Sequence, residues 1–122
     1  MISSGHKITA DENAEIAARY QREVMQLRAA FQAPRNFGPL TGDWTISGRP
    51  CYIVEVDRLL FLINEKGHSA RGRLDETYRV ISGIEGRNWD PDLVGVIVGT
   101  DLIRWGVNPD PTRSWRRKTN AD

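Results

Sequence analysis

Glu55, Tyr52, Arg71, Arg73 and Glu76 are the side chains best suited to chemistry in this chain. Glu55 follows Cys51 and Ile53 at a period of two, so within a strand it shares their face. An inward carboxylate needs a partner, because an isolated charge in an apolar interior is costly. Arg71 or Arg73 on a nearby strand is the expected one. The other reading sets Glu55 at its strand end, facing water. An inward Glu55–Arg pair would make the interior polar enough for a small anionic or amphipathic molecule. Glu55 or Tyr52 could there serve as acid or base.

The remaining reactive types carry less. Cys51 and His68 could form a nucleophile pair, but a Cys within Pro50-Cys51-Tyr52-Ile53 reads first as a small buried hydrophobe. His6, His68 and Cys51 lack metal-ligand spacing, and the Asp90-Pro91-Asp92 turn lacks the ligand count for calcium. Gly95, Gly99 and Gly106 lie in or beside strands, with no helix following to make a phosphate loop. No metal or cofactor is expected. Arg113, Arg116, Arg117 and Lys118 surround Trp115 in a basic, aromatic terminus. Asp110, Asp122 and the even charge balance argue against a nucleic-acid face, and a closing Arg–Trp contact is the preferred reading.

Two kinds of element must position these residues, and they meet near Pro34. Before it, Ala17, Tyr20, Val24, Leu27 and Phe31 recur every three or four positions, the period of an amphipathic helix. Thr9-Ala10-Asp11-Glu12 matches a capping box. Asp11, Glu12 and Glu15 crowd the first turn, with Arg19, Arg22 and Arg28 later, as the helix dipole favours. Glu15 and Arg19 stand at i, i+4. Pro34 ends the helix and pushes Ala33 towards extended geometry, giving about 22 residues and about 33 Å. The apolar stripe has two uses open to it: packing on the chain's own sheet, or pairing with a second copy through Tyr20, Val24, Leu27 and Phe31.

After Gly42 the pattern changes to short β-rich runs separated by turn residues. Strands are expected at Trp44–Ser47, Cys51–Val56, Leu59–Asn64, Ala70–Leu74, Tyr78–Ser82, Leu93–Val98, Leu102–Trp105 and Arg113–Arg117. The turns between them include Ser47-Gly48, Asn64-Glu65-Lys66-Gly67, Gly99-Thr100 and Asn108-Pro109-Asp110-Pro111. No connection is long enough for a crossover helix, so neighbours pair antiparallel. The fold class is therefore α+β and mainly β: an N-terminal helix and cap in residues 1–34, then an up-and-down eight-stranded barrel in residues 42–118. A rolled half-barrel is the competing arrangement. Trp44 with Ile46, Cys51 with Ile53, and Ile103 with Trp105 form the inward set. Leu59–Ile63 and Leu93–Val98 are apolar on both faces, so each asks for cover outside the barrel as well.

At 122 residues the chain suits one domain with a single core. Lys plus Arg is 17 against 16 for Asp plus Glu, so no global field draws it to nucleic acid or membrane. The lone Cys51 fits a reducing compartment. Met1 to Ala10 has no apolar run of signal-peptide length, and no segment is long enough to span a bilayer. A cytoplasmic protein is the expectation.

Gly42-Asp43-Trp44 opens the first strand after Phe37-Gly38-Pro39-Leu40, and Trp115-Arg116-Arg117 ends the last. This resembles the calycin arrangement of lipocalins and avidins, in which a Gly-x-Trp starts the barrel and a basic residue of the final strand crosses that Trp. The resemblance implies a ligand-binding barrel closed by Gly42, Trp115 and Arg116, with Arg117 as the alternative to Arg116. A cation over an indole face is worth about 0.5–2 kcal/mol.

The leading functional expectation is a non-enzymatic barrel that binds a small amphipathic or anionic ligand through Trp44, Tyr52, Glu55, Arg73 and Trp105. It carries an interior cavity of roughly 300 Å³ or more. A structural protein assembling a homo-oligomer through its helix and outer sheet faces is the alternative. A cofactor-free cyclase or isomerase is the third.

Overall fold

The computed structural model describes residues 9–31, 37–106 and 114–118. Helix α1 spans Ala10–Ala30. Eight strands follow: β1 Gly42–Ile46, β2 Arg49–Val56, β3 Leu59–Ile63, β4 Ser69–Leu74, β5 Val80–Glu85, β6 Val94–Val98, β7 Leu102–Gly106 and β8 Ser114–Arg117. Each pairs antiparallel with the next, and β1 pairs with β8 through Trp44↔Arg117 and Thr45↔Arg116. The ring is a closed barrel, not a rolled half-barrel. Pro34, Ala33, Arg113 and the Asn108–Pro111 turn lie outside the described residues.

The helix starts where its cap demands. The Thr9 hydroxyl accepts the Glu12 amide at 3.1 Å, and Asp11 and Glu12 sit in the first turn with Arg28 in the last. At 21 residues it is about 32 Å long. Its stripe is spent on its own barrel. Tyr20 and Val24 are buried against Tyr52, Val54 and Ile63 of β2 and β3, with Leu27, Phe31, Val56 and Phe61 packed around them. Each fully buried side chain of this kind contributes about 1.5–3 kcal/mol.

Alternation sorts the barrel wall into two cores. Trp44, Cys51, Ile53, Leu60, Leu62, Ile81, Ile103 and Trp105 fill the interior, with Ile46 and Ile97 packed on them. The expected inward pairs share that cluster. Tyr52 has the opposite parity on β2 and lies on the outer face beneath α1, so it does not line the interior. Arg73 likewise points outward and is exposed, because Leu74 and Gly72 take the inward positions of β4.

Strand β5 runs Val80–Glu85 instead of Tyr78–Ser82. The cause is local. The Asp75 carboxylate accepts the Arg79 and Val80 amides at 2.9 and 3.1 Å and the Thr77 hydroxyl at 2.7 Å. That side-chain turn takes Tyr78 and Arg79 out of the strand, with Tyr78 at φ 60°. These bonds also hold the Asp75 carboxyl below its ordinary range. Further along, Gly83 at φ 66° forms a bulge between the Arg71↔Glu85 and Arg73↔Ser82 pairs, which lets the strand continue to Glu85.

Candidate functional site

One end of the barrel is closed by residues 37–41, and Glu55 ties that strap down. The Gly38 amide donates to the Glu55 carbonyl at 2.8 Å. The Leu40 amide donates to Glu55 Oε1 at 3.1 Å, and the Glu55 amide donates to the Thr41 hydroxyl at 2.9 Å. Glu55 is only 1 % exposed, so its inward orientation holds. The expected Arg partner does not: Arg71 and Arg73 lie on the outer face. Backbone amides of the strap replace them. Position 38 favours glycine, since a Cβ there would run into the Glu55 carboxylate and force it to shift.

Above the strap, Trp44 Nε1 donates to the Leu40 carbonyl at 2.9 Å. The Arg117 guanidinium stacks over the Trp44 ring at 4.3 Å. It also donates to the carbonyls of Pro39 at 2.6 Å, Thr100 at 3.2 Å, Thr41 at 3.3 Å and Leu40 at 3.4 Å. Asp101 faces it at 3.8 Å. Arg117, not Arg116, is therefore the closing residue. Trp115 points inward, so parity sends Arg117 to the same side and Arg116 out to solvent. Gly42 begins β1 at φ 136°, beside the Arg117 guanidinium.

The other end holds three indoles. The Trp105 and Trp115 rings lie 5.3 Å apart, tilted by 58°, and Trp89, from the β5–β6 connection, meets each edge-on at 6.3 Å. Trp89 Nε1 donates to the His68 carbonyl at 3.1 Å. Trp105 Nε1 is buried without a hydrogen-bond partner among the described residues. Trp44, Glu55 and Trp105 are thus interior, but they sit at separate places in a core packed with aliphatic side chains. With Tyr52 and Arg73 outside, the five expected ligand residues do not converge. Tyr52 is covered by α1, with the Arg28 guanidinium 5.4 Å from its ring. Cys51 is sealed in the barrel, and burial pushes its thiol well above the ordinary range. His68 is on the outer side, so the two make no nucleophile pair.

The convergent polar residues are outside the barrel. Between α1 and the outer face of β3 and β4 runs a groove of about 890 Å³. Arg19, Arg71 and Arg87 bring three guanidinium groups to it, Glu23 and Glu85 two carboxylates, and Leu27 and Phe61 an apolar wall. Arg19 is fixed in place, donating to the Lys66 carbonyl at 3.2 Å and meeting His68 Nε2 at 2.9 Å. That contact requires His68 Nε2 to accept, so the imidazole is neutral. Burial, Arg19 and Lys66 lower its pKa accordingly. Arg71 and Arg87 are exposed and make no ion pair within 4 Å among the described residues.

Sequence reasoning passed over Arg19 and Arg87, reading the first only as a helix-dipole and Glu15 partner. The available signal was the alternation Ser69-Ala70-Arg71-Gly72-Arg73, which puts polar side chains on one face beside an apolar β3. No group of His, Cys, Asp and Glu among the described residues could hold a metal ion. No helix among them is long and apolar enough to cross a membrane. No protein-family model, curated protein or solved structure matches the chain.

Proposed function

We propose that this protein is a non-enzymatic small-barrel domain that binds a small amphipathic molecule with an anionic head. The binding place is the groove between α1 and β3–β4, not the barrel interior. The observation that carries this reading is the meeting of Arg19, Arg71 and Arg87 with Leu27 and Phe61 around one open volume of about 890 Å³. Ligand sites of this size combine an apolar wall with a few oriented polar groups. With His68 neutral, three guanidinium groups outweigh Glu23 and Glu85. The calycin-like reading draws support from the closed barrel and from the Gly42, Trp44 and Arg117 closure. The acid–base candidates Glu55 and Tyr52 are 1 % and 8 % exposed, which favours binding over catalysis.

The test is a titration of the isotope-labelled protein with 1-anilinonaphthalene-8-sulfonate, followed residue by residue by NMR. Shifts are expected at Arg19, Phe61, His68 and Arg71. Replacing Arg71 and Arg87 together by Ala should weaken binding about 5–10-fold, the effect of losing two exposed charge contacts. Shifts confined to the interior indoles would refute the location.

A second reading, assembly of copies, is favoured by the outer face of β6. Val94, Val96 and Val98 point outward, Val98 is 41 % exposed, and α1 covers β2 and β3 on another side of the barrel. Sedimentation of the wild type against Val96→Asp tests it: a mass that falls in the variant supports assembly through this face.

A further inference from the structure

The groove does not end at Arg71. A second hollow of about 210 Å³ continues along the same outer face and shares Phe61, Arg71 and Glu85 with the first. It reaches Leu59 and Arg73, where the bulge at Gly83 leaves the sheet surface open. The two ends differ in character. At the His68 end lie Arg19, Arg87 and the β3–β4 turn, all polar. At the Leu59 end apolar side chains make the β3 side, with Arg73, the ladder partner of Leu59, on the β4 side. Leu59 is 45 % exposed, and its ladder partner Val56 also bridges to Phe37, itself 42 % exposed. Phe37 contacts Phe31 at 6.3 Å and Phe31 contacts Phe61 at 5.0 Å, so the apolar rim is continuous with the groove wall. From Ser69 to Arg73 the track runs four residues along β4, about 13 Å.

We infer that the ligand is a free, single-chain anionic amphiphile, its head at Arg19 and Arg87 and its alkyl chain laid over Phe61 towards Leu59. This inference rests on the groove reading and adds the shape of the ligand to it. Arg71 stands at the midpoint and lines both hollows, its guanidinium available to the head and its methylene stem to the chain. A compact anion would use only the polar end and leave Leu59 and Phe37 wet. A chain covers both, and exposed apolar side chains grouped beside oriented cations are what such a molecule needs.

The experiment compares butanoate with dodecanoate, the latter below its micelle-forming concentration, on the full chain by calorimetry and NMR. Dodecanoate is expected to bind at least 30-fold more tightly and to shift Phe37 and Leu59 as well as Arg19 and His68. Leu59→Asn should cut the dodecanoate affinity about 5-fold and leave butanoate unchanged. Arg87→Ala should weaken both. Equal binding of the two acids, with shifts confined to the Arg19–His68 end, overturns the elongated ligand and leaves the groove reading standing. Shifts absent from the groove with both acids overturn the two together. Co-sedimentation with phosphatidylglycerol vesicles, without binding of monomeric dodecanoate, overturns the free amphiphile in favour of a membrane surface.

Discussion

Removing the Arg117 guanidinium should be among the most damaging single changes available to this barrel. The side chain joins β8 to the strap and to the β6–β7 turn through four carbonyl oxygens between 2.6 and 3.4 Å, and covers Trp44 at 4.3 Å. A hydrogen bond from a charged donor is worth about 1.5–3 kcal/mol, and the cation–π contact about 0.5–2 kcal/mol. The contacts share one group and do not add, and solvent partly replaces those of a side chain that is 21 % exposed. A loss of about 3–4 kcal/mol for Arg117→Met follows. In a chain of 122 residues that lowers Tm by roughly 10–20 °C. Arg117→Lys should recover only part, since an ammonium cannot fan out to several carbonyls and stack at once. Arg116→Ala should change stability by less than about 0.5 kcal/mol, because its side chain faces water. Urea denaturation followed by tryptophan fluorescence and circular dichroism measures all three. Equal effects at positions 116 and 117, or a loss under about 1 kcal/mol for Arg117→Met, would refute the closure.

Gly38→Ala places a methyl group against the buried Glu55 carboxylate and should cost about 1–3 kcal/mol in urea denaturation. Combined with Glu55→Ala the cost should be smaller than the sum, because the clash is gone. His68 has a folded-state pKa below its unfolded value of about 6.5, so the unfolded chain binds its proton first as pH falls. Its contribution is therefore complete above about pH 6.5 and declines below it. The wild type should lose more stability than His68→Gln between pH 7.5 and pH 5, and parallel curves would count against the Arg19–His68 contact. Trp105→Phe removes a buried donor that has no partner among the described residues, which offsets lost packing. Its stability should stay within about 1 kcal/mol of wild type, against about 3–5 for Trp105→Ala.

Features set by short-range pattern were legible in the chain, and those set by distant pairing were not. The Thr9 cap, the helical stripe and all eight strands follow from spacing and turn residues. Parity alone could have separated Arg117 from Arg116, because Trp115 is the large apolar residue that must turn inward. It could equally have sent Tyr52, Arg71 and Arg73 outward. The β5 displacement needed the side-chain turn at Asp75, a local motif that strand propensity overlooks. Glu55 shows the deeper limit. Its burial was readable from the period of two, but its partner is the Leu40 amide, fifteen residues upstream and without side-chain signature. Arg19 and His68 are 49 residues apart, and only the docking of α1 brings them together.

The location of the groove follows from the same economy of surfaces. Strands β2 and β3 are apolar outside as well as inside, so α1 must lie over them to keep Tyr52, Val54 and Ile63 from water. Strand β4 is polar outside, through Ser69, Arg71 and Arg73, and has no reason to be covered. The helix therefore ends its coverage along the β3–β4 boundary, with Phe61 half-buried at its margin. On one side of that line stands an apolar wall, on the other a row of cations, with the helix backing the space between. An amphipathic groove arises there because an apolar strand adjoins a polar one and the chain supplies a single helix, among the described residues, to cover the pair. Changing Arg71 and Arg73 to Val would move the boundary rather than fill the groove. Coverage would then be demanded over β4 as well, and the groove would keep Arg19 and Arg87 as its cations.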